Sequence, residues 1–174
     1  WKGGVDGTWN SPDSGGGFNW AQDDTGLSST VAKPGAPSDV VFSATGAANE
    51  TTTLGEDFTI NSLTFDASAG NVTIAPAGVE ELTVSAGITN DSANAQSINT
   101  TLNLNANQTI HAAMGDITLG GNVYATAPAL TVDGGATTSF SGDVFSSATT
   151  FTKLGSGTLN LGGAFGGSGN FVVN

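Results

Sequence analysis

The chain of 174 residues contains no cysteine and a single histidine, His111. Without thiols it can form neither a disulfide nor a thiolate metal site, and metal sites that need several histidines are excluded by the same count. We therefore predict no cofactor and no metal site of these kinds; Asp-rich turns could bind calcium, although the sequence contains neither an EF-hand loop nor a glycine-aspartate nonapeptide repeat. The lack of cysteine also means that the sequence does not mark the redox state of its compartment.

Basic residues are almost as scarce, because three lysines and no arginine stand against fifteen acidic residues, giving a formal net charge of -12. This charge repels a phosphate backbone, so we expect no nucleic acid and no anionic membrane surface as a partner. No apolar run approaches the roughly 20 residues that cross a bilayer, so no membrane insertion by this segment is expected. The chain begins at Trp1 without a basic and apolar leader, which predicts a processed chain or a piece of a longer one.

Glycine, in contrast, is abundant, with 26 residues, whereas long helix-forming side chains are few. Because glycine adopts positive φ without steric cost, this composition predicts an all-β chain with many tight turns. The length fits one domain. We expect it to consist of a cap with the first strands (1–53), a central repeat (54–150) and a C-terminal repeat (151–174).

The central part repeats a short phrase in which two apolar residues flank a polar one. Strict alternation predicts strands with one buried face, and the Gly, Asn, Asp and Ser clusters between them predict turns. The uneven spacing of the copies favours a parallel β-solenoid, with a β-sandwich as the alternative. The copies are Leu63-Thr64-Phe65, Val72-Thr73-Ile74, Leu82-Thr83-Val84, Leu102-Asn103-Leu104 and Ile117-Thr118-Leu119.

Asparagines cluster in one part of this repeat and predict a second stabilising feature. Stacked asparagine side chains can bond along a ladder, and asparagine tolerates left-handed turns. We therefore expect asparagine stacking to help fix the register of neighbouring coils. The residues concerned are Asn99, Asn103, Asn105 and Asn107.

All three tryptophans, Trp1, Trp9 and Trp20, lie in a glycine-rich segment without helical spacing. Large aromatic rings bury much area per residue, so we predict that they anchor this segment as a cap over one end of the solenoid. The alternative is an exposed aromatic platform on which sugar rings stack.

Residues 151–174 carry a different, glycine-rich phrase. A lysine and a small-residue turn precede Gly-x-Gly, a Leu-x-Leu strand, a glycine-rich turn and a short strand containing valine. The phrase resembles the autotransporter-associated β-strand repeat, also called the passenger-associated transport repeat. It departs from that repeat at Ala164-Phe165, which replaces the aromatic stretch usual before the second glycine pair. The matching residues are Lys153, Gly155, Gly157, Leu159, Leu161, Gly162, Gly166, Gly167 and Val172.

The similarity extends more weakly over most of the chain, for example at 39–42 and 62–66. The resemblance implies a right-handed parallel β-helix, secreted by or displayed on a Gram-negative bacterium, often as part of an autotransporter passenger. Such repeats are mainly scaffold, so the resemblance implies no catalysis. We therefore expect a non-catalytic structural or adhesive module of the cell surface, with host or matrix glycans or proteins as partners.

Catalytic residues are hard to find in this sequence. His111 follows a predicted strand that ends near Ile110, and we interpret it as a turn or surface residue rather than a base. Adjacent acids point to opposite faces of a strand, so the two carboxyls that glycoside hydrolysis needs would come from different coils. We interpret the adjacent acids as solvated residues; they are Asp23-Asp24, Glu56-Asp57 and Glu80-Glu81.

Two further functions stay open. The strand-like residues Phe171, Val172 and Val173 have no obvious cap after them, so this end could associate with the start of a neighbour, end to end, in an extracellular filament. Alternatively, a carbohydrate-binding or carbohydrate-cleaving β-helix would combine the tryptophans or Tyr124 with acids from neighbouring coils.

Overall fold

The computed structural model describes residues 1–12, 15–23, 28, 30, 32–43, 47–147 and 150–174. Asp24, one of the acids named above, lies outside these residues. The described part of the chain contains strands and turns but no helix. The strands are β1 (Asp39–Phe42), β2 (Thr51–Thr53), β3 (Phe58–Phe65), β4 (Thr73–Ala75), β5 (Glu81–Asn90), β6 (Gln96–Ile98), β7 (Thr101–Leu104), β8 (Gln108–Ala112), β9 (Ile117–Leu119), β10 (Val123–Ala125), β11 (Ala129–Gly134), β12 (Thr138–Phe140), β13 (Val144–Ser146), β14 (Thr150–Lys153), β15 (Leu159–Leu161), β16 (Phe165–Gly167) and β17 (Asn170–Val173).

These strands pair in parallel throughout and form three faces. The first face is the sheet β15-β12-β9-β6-β4-β2. The other two faces belong to one larger sheet, because β3 and β5 run through the corner between them. The first half of β5 pairs with β7, and its second half pairs with β8.

The chain therefore winds as a right-handed parallel β-helix of about six turns, which confirms the predicted fold. The alternative β-sandwich is wrong, because a sandwich is built from antiparallel sheets and every strand pairing here is parallel. We number the turns as coils one to six. Coils one and two contain β2–β3 and β4–β5, and coils three to six contain β6–β8, β9–β11, β12–β14 and β15–β17.

On two of the three faces a constant step keeps the later coils in register. On the first face Ile98 pairs with Leu119, Leu119 with Phe140 and Phe140 with Leu161, so partners are 21 residues apart. On the second face the same 21-residue step joins Leu102, Val123, Val144 and Phe165. Equal steps place like side chains above one another, so the interior is a set of continuous stacks.

The apolar residues of all five predicted triplets lie in this interior and are at most 1% exposed. Four triplets lie wholly within β3, β5, β7 and β9, and the fifth covers Val72 and the start of β4. Alternation along each strand sends their middle residues outward. The hydrophobic pattern of the sequence therefore predicted both the strands and their buried faces correctly.

Among the described residues, Asn99, Asn103, Asn105 and Asn107 do not form the predicted asparagine ladder. The register neighbours of Asn103 are Thr83 and Tyr124, and its amide donates instead to the Glu81 carboxylate at 2.7 Å. Asn107 contributes differently, because its side-chain oxygen accepts a hydrogen bond from the backbone N–H of Ala129 in the next coil at 3.0 Å. Neighbouring coils are thus linked by hydrogen bonds from side chains to backbone groups. A ladder would instead join the side chains of like residues to one another.

Three other turn residues repeat this contact between coils. Asp116 accepts from Thr137 N–H at 2.8 Å, Asn122 from Asp143 N–H at 3.2 Å, and Asp143 from Ala164 N–H at 2.8 Å. Each bond satisfies a turn donor that the strand ladders leave unpaired. These side chains therefore support the turns and help hold the coils in register.

Candidate functional site

The three tryptophans lie together over the first coil. Trp1 and Trp9 each make an edge contact with Trp20, at centroid distances of 4.7 and 4.9 Å, and all three rings contact Phe42. Trp9 also packs on Phe58 of β3, at 5.3 Å. The tryptophan segment thus extends the apolar interior beyond coil one.

Hydrogen bonds fix these rings in place. The indole N–H of Trp9 donates to Thr52 Oγ1 at 3.0 Å, and that of Trp20 donates to the Trp9 carbonyl at 2.9 Å. The backbone of the segment adds a further parallel bridge, between Thr8 and Thr53 of β2. Trp1, Trp9 and Trp20 are only 7, 0 and 5% exposed. A sugar platform requires an open ring face, and these buried rings offer little of one.

A cavity of about 460 Å³ opens beside this cap, where Trp1 and Trp20 meet the outer surface of β1. Its wall includes Asp39, whose carboxylate accepts hydrogen bonds from Ser62 and Asn61; these bonds lower the pKa of Asp39. Lys33 also lines the cavity, and its ammonium pairs with Glu56. The carboxylate of Asp39 and the ammonium of Lys33 are thus engaged with other protein groups.

The family-like phrase spans the end of coil five and all of coil six. Lys153 is buried at the end of β14, and its ammonium donates to the carbonyls of Leu154 and, at 3.1 Å, Gly155. Gly155 has a φ of +70°. A side chain on Gly157 would lie 2.0 Å from the carbonyl oxygen of Ala136 in the preceding coil. The lysine and the two glycines therefore form the turn that leads into β15.

Coil six carries exposed apolar side chains. Leu161, Phe165, Phe171 and Val173 are in register with buried or inward-facing residues of coil five, yet they are 40, 37, 44 and 68% exposed. Val172 points the other way, since it is in register with Thr152 on the outer face. Phe171 and Val173 line a cavity of about 260 Å³ at this coil, together with Lys153, Gly157, Leu159 and Leu161.

The candidate acids act in turns and strand contacts. Asp57 accepts from Glu81 N–H at 2.9 Å, which joins coil one to coil two. Glu80 accepts from Gly78 N–H at 2.6 Å, and this bond lowers the pKa of Glu80. The two acidic pairs 56–57 and 80–81 thus lie one above the other. Among the described residues, no group of three or more His, Cys, Asp or Glu is placed to hold a metal ion.

His111 lies on the outer surface of β8. Its Nδ1 is 3.3 Å from Oδ2 of Asp133, its register neighbour in β11. Both side chains are about one-third exposed, at 37 and 34%. Its other register neighbour is Thr89 of β5. The placement agrees with its interpretation as a strand-surface residue.

The structure shows an exposed aromatic pair, of which the sequence analysis named Tyr124 but not Phe145. Tyr124 of β10 and Phe145 of β13 stack on the second face, with centroids 4.9 Å apart and planes inclined by 13°. Because the rings stack on each other, each has one face covered by its neighbour. The 21-residue spacing of these aromatics is the signal in the sequence that could have paired them.

Comparison with known proteins adds no identification: no family model matches the chain, and neither curated proteins nor solved structures give a significant match. The resemblance to the passenger-associated transport repeat therefore stays a prediction from the phrase at 151–174. In the part of the chain that the structure describes, no helix has the length and apolar character to cross a membrane.

Proposed function

We propose that this chain is a non-catalytic structural module, a rigid β-helical segment of a bacterial secreted or surface-displayed protein. The observation that carries the proposal is the unbroken apolar interior, which runs from the tryptophan cap through every coil to Phe171. A solenoid of this kind gains about 4.8 Å of length per coil and presents its outer faces for contact.

The polar residues support a structural function. The acids at 57, 80, 116 and 143 accept hydrogen bonds from backbone N–H groups, and the bonds of Asp57, Asp116 and Asp143 reach the next coil. Residues used in this way are held by the scaffold. A glycoside hydrolase of the same fold would need two carboxyls that face a shared cleft.

Location outside the cell is supported by the phrase at 151–174. Its lysine, glycines and leucines occupy defined structural positions, from the turn held by Lys153 to the strand β15. By that resemblance the producer is a Gram-negative bacterium, and the exposed faces contact host or matrix glycans or proteins. The net charge of -12 makes basic surfaces the favoured partners among them.

Antibodies raised against the purified chain test the location. We expect them to label intact, unpermeabilised cells of the producing bacterium or to detect the protein in the culture medium. Labelling that appears only after permeabilisation would contradict the proposal.

Activity assays test the non-catalytic part. On a panel of polysaccharides we expect no turnover, and no tryptophan fluorescence change with glycans because the rings are buried. Saturable turnover that is lost in Glu81→Gln but kept in Asp91→Asn would overturn the proposal, because Glu81 lies in the stacked acidic pairs and Asp91 does not.

A further inference from the structure

The stacked aromatic pair on the second face leaves one ring face uncovered. Tyr124 and Phe145 are 37 and 43% exposed, and each covers one face of the other. The register neighbour of Phe145 in coil six is Gly166, which has no side chain to place over the ring. The face of Phe145 that points away from Tyr124 is therefore open at the level of Gly166. This surface lies on the side of the solenoid and involves neither end of it.

Carboxylates flank the aromatic pair on the same outer surface. Asp143 lies two residues before Phe145, so its side chain leaves on the same face, about 6.6 Å along the strand. Its Oδ1 accepts from a backbone N–H of coil six at 2.8 Å, a bond that fixes the carboxylate without neutralising its charge. On the other side of the pair, Glu81 accepts from the amide of Asn103, the register neighbour of Tyr124.

The protein itself supplies no cation to this surface. Residues 34–152, which include strands β1 to β13, contain eleven acids and neither lysine nor arginine. Of the three lysines, Lys33 pairs with Glu56 and Lys153 is buried, and a second copy of the chain offers the same three. An aromatic ring face and a carboxylate both attract positive charge. The complementary cation therefore comes from a different molecule.

The shape of the surface favours a protein over a small ligand. Sites for small molecules are concave and enclose most of the ligand. The two cavities described above lie beside the cap and at coil six, and neither is lined by Tyr124, Phe145 or Asp143. Exposed aromatic side chains on a sheet surface are instead typical of contacts between proteins, where tyrosine, phenylalanine and arginine are all enriched.

We propose that Tyr124, Phe145 and Asp143 form a docking surface for a basic protein, with an arginine side chain of that partner stacked on the open face of Phe145. A guanidinium is planar, so it fits the space over Gly166 and presents its N–H groups to the nearby carboxylate. A lysine ammonium is a point charge and lacks the stacking plane. The inference rests on the proposed function, in which the outer faces serve as contact surfaces, and it adds the residues and the class of partner.

The test uses the isotope-labelled full chain and two probes, a peptide of alternating arginine and serine and its lysine analogue of the same length. An NMR titration gives both the Kd and the position of binding. We expect amide shifts around residues 124, 145 and 166, and a Kd at least about twofold lower for the arginine peptide. Equal affinity for the two peptides, shifts confined to other parts of the chain, or no binding would each overturn the proposal.

Two variants test the stacking contact. Phe145→Leu keeps an apolar side chain but removes the ring, and Gly166→Val fills the space over the ring. Each should raise the Kd of the arginine peptide about two- to fivefold. A Cβ at Gly166 would lie 3.7 Å from the Val144 carbonyl oxygen and 3.9 Å from Phe145 Cδ1, so the fold should tolerate the change, and circular dichroism checks it. Unchanged affinity in both variants would overturn the proposal, because binding would then follow charge alone.

The contribution of the carboxylate is tested by Asp143→Asn, which keeps an oxygen acceptor for the backbone N–H but removes the charge. It should weaken binding more than Asp91→Asn, the matched control, which makes the same charge change in an exposed turn after β5. Equal effects of the two variants would contradict a local contact with Asp143.

A neutral oligosaccharide, chitohexaose, tests the other class of partner. Saturable binding that Phe145→Leu abolishes would assign the surface to a glycan and overturn the arginine contact, whereas no shift at these residues supports it. Failure of the peptide tests would leave the cell-labelling and turnover results of the proposed function as they stand. The two proposals therefore fail separately.

Discussion

At the scale of single residues, the close approach of successive coils decides which side chains fit at a corner. Gly134 ends β11 with a φ of +115°, and a Cβ there would lie 2.0 Å from the carbonyl oxygen of Ala112, its register neighbour in β8. One coil later Gly155 repeats the arrangement, with a φ of +70° and a Cβ position 2.5 Å from the Gly134 carbonyl oxygen. Backbone lies against backbone at this corner, so no flexible side chain can give way.

We predict that Gly134→Ala lowers the free energy of unfolding by at least about 2 kcal/mol, because it combines a left-handed backbone with a clash against main-chain atoms. Urea unfolding followed by circular dichroism measures the change. Gly35→Ala is the control, since Gly35 has only Pro37 Cδ nearby, at 4.0 Å, and should change stability by less than about 0.5 kcal/mol. Equal stability of the two variants would show that the corner can relax.

At the scale of elements, the sequence predicted the strands better than it predicted how they are joined. Alternating apolar residues found β3, β5, β7 and β9 because each has a buried face of two or more apolar side chains. The 21-residue turn was hidden, since each turn holds three strands of differing sequence and the earlier steps vary, as in Ile74 to Ile98. Only the pairing shows which strands are equivalent.

A polar cluster in the turn after β5 shows why the rest could not be predicted. Asn90 is fully buried, and its amide donates to the carbonyls of Asn94 and Asp116, at 3.0 and 3.2 Å. Gln96, also buried, accepts from Val72 N–H at 2.8 Å and donates to the Gly70 carbonyl at 2.9 Å. Such polar residues indicate turns in a sequence, but their backbone partners are known only once the coils are stacked.

The tryptophan cap should contribute strongly to the stability of the fold. We predict that Trp9→Ala lowers the free energy of unfolding by about 3–5 kcal/mol, because Trp9 is fully buried between Trp20, Phe42 and Phe58. The emission of the remaining tryptophans should shift to the red as water reaches them. Urea unfolding and fluorescence measure the two effects.

The control for this prediction is Trp9→Phe, which keeps an aromatic ring but loses the hydrogen bond to Thr52. It should cost less than Trp9→Ala and leave the emission close to that of the wild type. If Trp9→Ala were as stable as Trp9→Phe, the segment would not act as a cap.

At the scale of the whole molecule, each coil contacts mainly its two neighbours. Stability in such a solenoid is approximately a sum of coil and interface contributions, so whole coils are interchangeable units in a way that parts of coils are not. The cap and coil six differ from the inner coils, because the cap packs its tryptophans over coil one and the strands of coil six pair with coil five alone. Deletion of one inner coil should therefore shorten the solenoid and leave the cap and coil six unchanged.

Deletion of residues 120–140 tests this modularity, because it removes one 21-residue turn and joins Leu119 to Ser141. Leu119 and Phe140 are register neighbours, so the new junction follows β9 as the natural one follows β12. We predict a folded protein with parallel β-sheet circular dichroism, cooperative unfolding and a somewhat lower midpoint. Deletion of residues 120–129 removes about half a turn, which places inward-facing residues out of register, and this variant should not fold. If both deletions unfolded the chain, its stability would depend on contacts between distant coils, and the solenoid would not be modular.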